Sequence, residues 1–383
     1  MSEVVDFHVH LTPPGMLDDF ACHDDEPYWR LLTTPNPRHA AQILRTGEQM
    51  VQQMDRDGVA RVVVQAGYLQ SERSIAAKNA AVLDLARRFA GRIELFAAID
   101  PLSPTPAADV DAALDAGAVG IGEVNPYAHG LRLDDPRFLA VAARCEEHGV
   151  PMSVHMSEEA GNYYLGKSTY RLNDYFEFAK RFPELPIVFA HWGGGMFFYE
   201  LMPTVAAALR HVAYDTAASP LQYPTDRIFR VALEVLPPSK ILYGSDYPLR
   251  LYRGHDDVDF ARFLGDVAAA VPDEAARAAI VGGNATALLQ RERRTVTTAA
   301  VSTVADDVLP LADRLELPIE PFMSVAEVAR RYPRTKPVFE RFGIPHTDVT
   351  VPVWEPIVQS AAARGLGTAA QAALIEALND ALQ

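Results

Sequence analysis

Short apolar runs recur along most of the chain, each followed by a longer stretch with helical spacing. The runs EVVDFHV (3–9), RVVVQA (61–66), IELFAAI (93–99), AVGIGEV (118–124), VPMSVHM (150–156), PIVFAHW (186–192), VAYDT (212–216) and KILYGSD (240–246) read as strands. None alternates cleanly between apolar and polar positions. Parallel strands covered by helices on both faces read this way. Between them, residues 39–58, 74–91, 136–149, 172–182, 197–210, 225–236 and 258–270 carry helical patterns, and the first three close on Gly, a helix stop signal. Eight strands alternating with helices predict an α/β fold of the (β/α)8, TIM-like barrel type. An open doubly wound sheet would need a Gly-rich phosphate loop after its first strand, and HVHLTPPG is not one.

The texture changes near residue 291. We expect a barrel over 1–291, a linker over 292–320 with weak periodicity, and a small all-α domain over 321–383. Ser324 and Glu327 are spaced as a capping box at the start of that domain.

The chemistry stands at the strand ends. Side chains i and i+2 leave a strand on the same side, so His8 and His10 project together from the end of the first strand. Alone, such a pair is two polar residues at a strand end. Here Glu123 ends the fourth strand, His155 the fifth, His191 the sixth and Asp246 the eighth. Taken singly, a strand-end Asp caps a helix and a strand-end His makes one hydrogen bond. Barrel closure, however, brings all these ends into one ring, where six metal-capable groups converge on a divalent cation. Glu123 can join two cations or orient a histidine.

The motifs DFHVH, SVHMSE, FAHWGGG and LYGSDYPL resemble, in order and spacing, the amidohydrolase superfamily and its amidohydrolase-related branch, over about residues 3–291. IVGGNATALL (280–289) is similar to the Gly-Asn-Ala helix that closes those barrels. The resemblance implies a distorted barrel with one or two divalent metals, usually zinc. It implies His8, His10, His155 and Asp246 as ligands, and His191 as a second-metal ligand or a catalytic histidine. Glu123 resembles the bridging glutamate of TatD-type hydrolases. The implied activity is hydrolysis of an amide, ester or lactone in a small, cyclic or aromatic substrate: a metal lowers the pKa of its water, Asp246 takes the proton, and His191 helps to polarise the scissile bond. The rival activity is non-oxidative decarboxylation, or hydration, of a small carboxylic acid. A third reading is a silent scaffold or sensor acting through the tail. The tail segment SVAEVARRYPRTKPVFERFGIPH is similar to the helical domain at the front of iron–sulfur cluster repair proteins, but GIPHTDV lacks that family's cysteine pair. His346 then reads as a turn histidine.

Substrate contacts are expected from loops beyond the strands. Tyr68 and Trp192 are candidate aromatic walls, and Arg250 is a candidate grip for a carboxylate or phosphate. Tyr28, Trp29, Tyr127, Tyr163, Tyr164, Tyr247, Lys167, Arg171 and Arg253 lie in comparable loops, and His23 belongs to an acidic run after the first strand.

Composition narrows the partners. A net charge of −15 argues against nucleic acid, which needs a basic face. No stretch of about 18 apolar residues predicts a membrane span, and MSEVVDF has no basic start that would mark a signal peptide. Cys22 and Cys145 form no CxxC, which fits a reducing, cytoplasmic setting. The expected partner is a small-molecule substrate, and a homodimer is the frequency-based expectation for the assembly.

Overall fold

The computed structural model describes residues 3–12, 15, 43–67, 69, 71–100, 103–125, 131–161, 167–168, 170–252, 258–296, 319–321, 323–346 and 355–382. Its centre is an eight-stranded sheet with neighbours in chain order and every pair parallel. The strands are β1 (Val5–Val9), β2 (Arg61–Gln65), β3 (Ile93–Ala97), β4 (Gly120–Val124), β5 (Met152–Val154), β6 (Ile187–Phe189), β7 (Val212–Asp215) and β8 (Ile241–Leu242). Each lies inside a run read as a strand from the sequence.

β8 is short, and closure is made by single bonds beyond it. Phe7 N–H donates to Tyr243 O (2.8 Å), Asp246 N–H to His8 O (2.8 Å) and His10 N–H to Tyr247 O (2.6 Å). Asp6 Oδ1 adds a side-chain tie, accepting from Ser245 N–H at 3.0 Å. The sheet is therefore a barrel, and its last seam lies beside β1, where the two histidines stand.

Local signals explain the helices. Thr46 and Gln49 form a reciprocal capping box before Gly47–Asp57, which ends on left-handed Gly58. Asp135 caps Pro136–His148, with Pro at the first position and left-handed Gly149 at the end. Helices also form at Glu72–Arg88, Leu172–Arg181, Thr225–Val235 and Ala261–Ala270. Two segments differ from the pattern. A helix at Pro106–Ala116 is not signalled by an apolar stripe, because it buries only Pro106, Val110 and Leu114. The expected helix 197–210 is broken at extended Met202 and Pro203 into the end of a 3-10 segment, which closes at Leu201, and a short helix, Pro203–Ala208; left-handed backbone at residues 192–195 precedes it.

The main core fills the layer between strands and helices. A smaller cluster joins Val5, Phe7, Val63, Phe96, Val188 and Leu242 from five strands to Ala285 of the helix Asn284–Leu289. A separate cluster unites the C-terminal helices Val325–Arg331, Lys336–Arg341, Ile357–Ala363 and Thr368–Asp380 around Val325, Phe339, Ile357 and Leu374. The linker from 297 to 318 and the Glu327 side chain of the expected capping box lie outside the described residues. His346 stands 3.2 Å from Glu340 at the turn after the second of these helices. Among the described residues no helix is long and apolar enough to cross a membrane.

Gly282 passes directly beneath β1. A Cβ there would sit 1.9 Å from the Glu3 carbonyl oxygen, whereas one at Gly265, in an exposed helix position, would meet nothing within 4 Å. Gly282→Ala should therefore lower unfolding free energy by about 1–3 kcal/mol. Gly265→Ala should raise it by about 0.5–1 kcal/mol. Denaturant unfolding of both variants beside wild type checks the contrast.

Candidate metal centre

The ends of β1, β4, β5, β6 and β8 bring six predicted donors together. The His8 and His10 rings lie 5.0 Å apart, centre to centre. His8 Nδ1 stands 2.8 Å from Asp215 Oδ2, and His10 Nδ1 stands 2.9 Å from the Gln65 carbonyl oxygen. A carboxylate and a carbonyl can only accept, so each Nδ1 carries a proton, and in its neutral form each ring turns an Nε2 lone pair inward. These two Nε2 atoms face each other at 3.1 Å. Two lone pairs at that distance repel unless a cation or a proton lies against them. This donor chemistry fits a divalent metal.

The other half is built around Glu123, which is fully buried. Its Oε1 lies 2.7 Å from His155 Nδ1 and 3.1 Å from His191 Nε2. Its Oε2 faces the opposite pair, 3.5 Å from His8 Nε2 and 3.9 Å from His10 Nε2. Asp246 completes the ring, with Oδ1 3.2 Å from His10 Nε2 and Oδ2 3.9 Å from His191 Nδ1. Three overlapping donor sets result: His8, His10 and Glu123; Glu123, His155 and His191; His8, His191 and Asp246.

Backbone geometry aims these groups. His191 and Asp246 are non-glycine residues with left-handed φ, 57° and 64°. Such strain persists only where the surroundings over-determine it. At His191 the constraint is visible. Its N–H donates to Asp215 Oδ1 (2.9 Å) and its Nδ1–H to Ala217 O (3.1 Å). The glycines that follow admit close packing, since a Cβ on Gly194, itself at φ +59°, would meet Ser157 O at 2.3 Å.

Four partners were not among the predicted site residues. Asp215, buried at the end of β7, accepts from His8, from His191 N–H and from Ala217 N–H (3.0 Å). Gln65 orients His10 through its carbonyl. Ser157 Oγ lies 3.3 Å from His155 Nε2. Asp6 accepts from His8 N–H at 3.1 Å. Asp215 could have been found by the test applied to the other donors, because VAYDT also ends a strand on a carboxylate.

Burial opposes charge throughout the cluster, yet the mutual contacts prevail. Burial would lower the His8 pKa, but Asp215 and Glu123 hold it well above the ordinary value. His191 is lifted to about 9 against burial, chiefly by its hydrogen bond to Glu123. Burial would raise Glu123 and Asp246, but His155 and His8 hold the first well below the usual carboxylate range, and His10 and His8 lower the second. Asp6 is different: burial raises it to about 7.

The predicted substrate contacts are placed as follows. Trp192 is fully buried, edge-on to Phe229 at 5.1 Å, and donates its indole N–H to Ser219 Oγ (2.9 Å). It is a packing residue beneath the turn, not an open wall, because left-handed backbone at 191–192 rolls it under. Arg250 is half-buried, four residues beyond Asp246. Lys167 pairs with Glu158 at 3.1 Å, and Tyr247 stacks on Phe260 at 4.6 Å. Arg171 precedes the helix Leu172–Arg181. Tyr68, His23, Tyr28, Trp29, Tyr127, Tyr163, Tyr164, Arg253 and Cys22 lie outside the described residues. Cys145 is buried, and burial raises its thiol pKa, which leaves it inert.

Two outcomes follow. Asp215→Asn should weaken metal affinity by about 10–100-fold, by loosening His8 and His191 together; chelator competition reads it. Protons on His8 and His191 compete with a metal for the same lone pairs. Apparent affinity should therefore rise with pH through about 9, where His191 loses its proton, and as the raised pKa of His8 is passed, and metal addition should release protons. Titration calorimetry in buffers of different ionisation enthalpy measures both.

A sequence model of the amidohydrolase family matches residues 5–291. No curated protein sequence matches the chain. Among solved structures, the fold is similar to 5-carboxyvanillate decarboxylase from Sphingomonas paucimobilis, with a TM-score of 0.60, 17% identity, and 76% of this chain and 99% of that chain covered. It is also similar to 5-carboxyvanillate decarboxylase from Novosphingobium aromaticivorans, complexed with manganese and 4-hydroxy-3-methoxy-5-nitrobenzoic acid (TM-score 0.57, 14% identity, 76% and 96% covered). A third is dihydroxybenzoic acid decarboxylase from Polaromonas sp. JS666 with bound manganese and 2-nitroresorcinol (TM-score 0.54, 16% identity, 76% and 97% covered). Identities this low establish likeness of fold alone. The match over 5–291, with its barrel and its ring of strand-end donors, places the chain in the amidohydrolase family.

Proposed function

We propose that this protein is a metal-dependent, non-oxidative decarboxylase of a small aromatic carboxylic acid, in preference to the hydrolase that the motifs first suggest. The observation that carries this reading is the pairing of a buried His/Glu/Asp donor ring with a barrel similar to three named decarboxylases, two of them named with manganese. Those names favour manganese or another divalent ion as readily as zinc.

His8, His10, Glu123 and Asp246 would hold the cation, with His155 and His191 completing the ring. When bound, the metal would supply Lewis acidity that orients the substrate's carboxylate and spreads its charge. The chain's own residues do the rest. Asp246, ionised at rest, is the carboxylate we assign to proton transfer: it takes a proton from water and passes it to the ring carbon as the bond from that carbon to the carboxylate breaks, carbon dioxide leaves, and Asp246 returns to its anionic form. His10 and His191 flank Asp246 and balance its charge between proton deliveries. Arg250 is assigned to a second anionic group of the substrate.

One observation favours hydrolysis as the second reading. The two oxygens of Glu123 face different histidine pairs, as a carboxylate joining two cations would.

Purified protein should carry about one equivalent of divalent metal and release carbon dioxide from hydroxybenzoate-type acids, with activity lost to a chelator and regained on adding manganese or zinc. Asp246→Asn should cut kcat by about 100-fold or more. Arg250→Ala should mainly raise KM. Elemental analysis with carbon dioxide detection checks these points. Two equivalents of metal with ester or lactone cleavage, and no carbon dioxide, would shift the assignment to hydrolysis. Absence of metal and indifference to chelators would refute both.

A further inference from the structure

The chain leaves the barrel at the end remote from the donors. Arg294 N–H donates to His148 O at 2.8 Å, just ahead of β5. The C-terminal helices nevertheless pack at the other end of that strand. Tyr170, in the loop that follows β5, lies against the main barrel core and also against the separate cluster formed by those helices. Its O–H donates to the carbonyl oxygen of buried Leu131, in the loop that follows β4.

The same residue is tied to the donor ring. Tyr170 N–H donates to Ser168 Oγ at 3.3 Å, and Ser168 N–H donates to Ser157 Oγ at 3.0 Å. Ser157 Oγ stands 3.3 Å from His155 Nε2, and His155 Nδ1 stands 2.7 Å from Glu123 Oε1. Both serines are buried, and Ser168 Oγ is further fixed by the Tyr175 hydroxyl at 3.1 Å. An unbroken path of short contacts therefore runs from the helical cluster to a predicted metal ligand.

The other histidines are steadied differently. Asp215, the Gln65 carbonyl and the Ala217 carbonyl orient His8, His10 and His191, and all three groups stand at or next to the ends of barrel strands. For His155 the outer contact is a loop hydroxyl, and that loop is packed on a domain that lies outside the barrel. Partners that orient a metal ligand from behind matter at about 10–100-fold in affinity.

We infer that the C-terminal helical domain is a positioning element of the donor ring, acting on His155 through Tyr170, Ser168 and Ser157. The domain holds Tyr170 against the barrel, Tyr170 fixes Ser168, and the two serines fix the rotation of the His155 ring. Release of the domain frees that rotation. Docking and metal binding then favour each other by the same factor, as linkage requires. This coupling goes beyond the reaction proposed above and holds whether the centre decarboxylates or hydrolyses.

Full-length variants test it, with manganese(II) as the probe in titration calorimetry. Leu374 is fully buried in the helical cluster, so Leu374→Asp should unfold that domain. Manganese affinity should fall about tenfold with it, and similarly in Tyr170→Ala. Tyr170→Phe, which keeps the packing ring, should stay within about threefold of wild type. Ser157→Ala combined with Leu374→Asp should be little worse than the more severe single change, because both break one path. In metal-free protein, hydrogen exchange of residues 153–161 should speed up in Leu374→Asp. In the wild type, manganese should slow exchange of residues 325–344, a readout that needs no variant to fold. An unfolded helical domain with unchanged manganese affinity and unchanged exchange at 153–161 would overturn the coupling. So would single effects that multiply in the double variant, or tail exchange indifferent to bound manganese. Exchange at 153–161 decides the matter even for a chain that binds no manganese, so failure of the metal reading is told apart from failure of the coupling.

Discussion

The centre depends on one buried carboxylate. Asp215 accepts three hydrogen bonds, from the His8 ring, from the His191 backbone and from the Ala217 backbone. One oxygen fixes the tautomer of a histidine on β1. The other holds the left-handed turn that delivers a histidine after β6. A neutral side chain of the same shape would leave part of this set unmade, at a cost of about 1–3 kcal/mol for each buried group left unsatisfied. Asp215 is thus a positioning residue whose reach spans three strands. Without these ties, the Nε2 atoms of His8 and His191 would lose the anchors that turn them towards the centre.

The strain at His191 and Asp246 is explained in the same terms. Left-handed backbone at a non-glycine residue costs of order 1 kcal/mol. It is tolerated where neighbouring bonds already fix the chain. At His191 these are the contacts to Asp215 and Ala217. At Asp246 the fixing contact is its own N–H on His8 O, part of the seam that closes the barrel. Site and closure are therefore one structure, and changes at the seam between β8 and β1 act on both.

Much of this was legible in the sequence, because parallel strands announce themselves as apolar runs and donors at their ends are conspicuous. All eight strands lie where the runs lie, and the six donors meet. The expectations were less successful where a role depends on backbone conformation or cross-strand register. Trp192 reads as an exposed aromatic after a strand, but three consecutive left-handed glycines and the turn before them put it in the core. Asp215 reads as one more strand-end acid, and its role follows only from β7 lying between β6 and β8 near β1. Gln65 acts through its carbonyl, which no side-chain pattern can signal. The helix at Pro106–Ala116 has too thin an apolar stripe to register. The choice of chemistry was legible least of all, since the same donors serve hydrolysis and decarboxylation.

Charge accounting bears on that choice. Of the carboxylates around the histidines, Asp215 is matched by the His8 ring N–H and two backbone N–H groups, and burial raises Asp6 to about 7, so it is partly neutral near that pH. Glu123 and Asp246 remain as the anions facing the ring of nitrogens. Their charge of −2 balances one divalent cation when the histidines are neutral. A second cation would carry uncompensated charge into a buried site, which is costly unless another anion comes with it. In a hydrolase that anion would be hydroxide. A site balanced for one cation leaves the substrate's carboxylate as an added negative charge held in low dielectric, and loss of carbon dioxide removes that charge from the acid. The protein's own charge balance thus favours a mononuclear site and the decarboxylase reading, and makes the bridging pose of Glu123 the feature against which that reading is to be weighed.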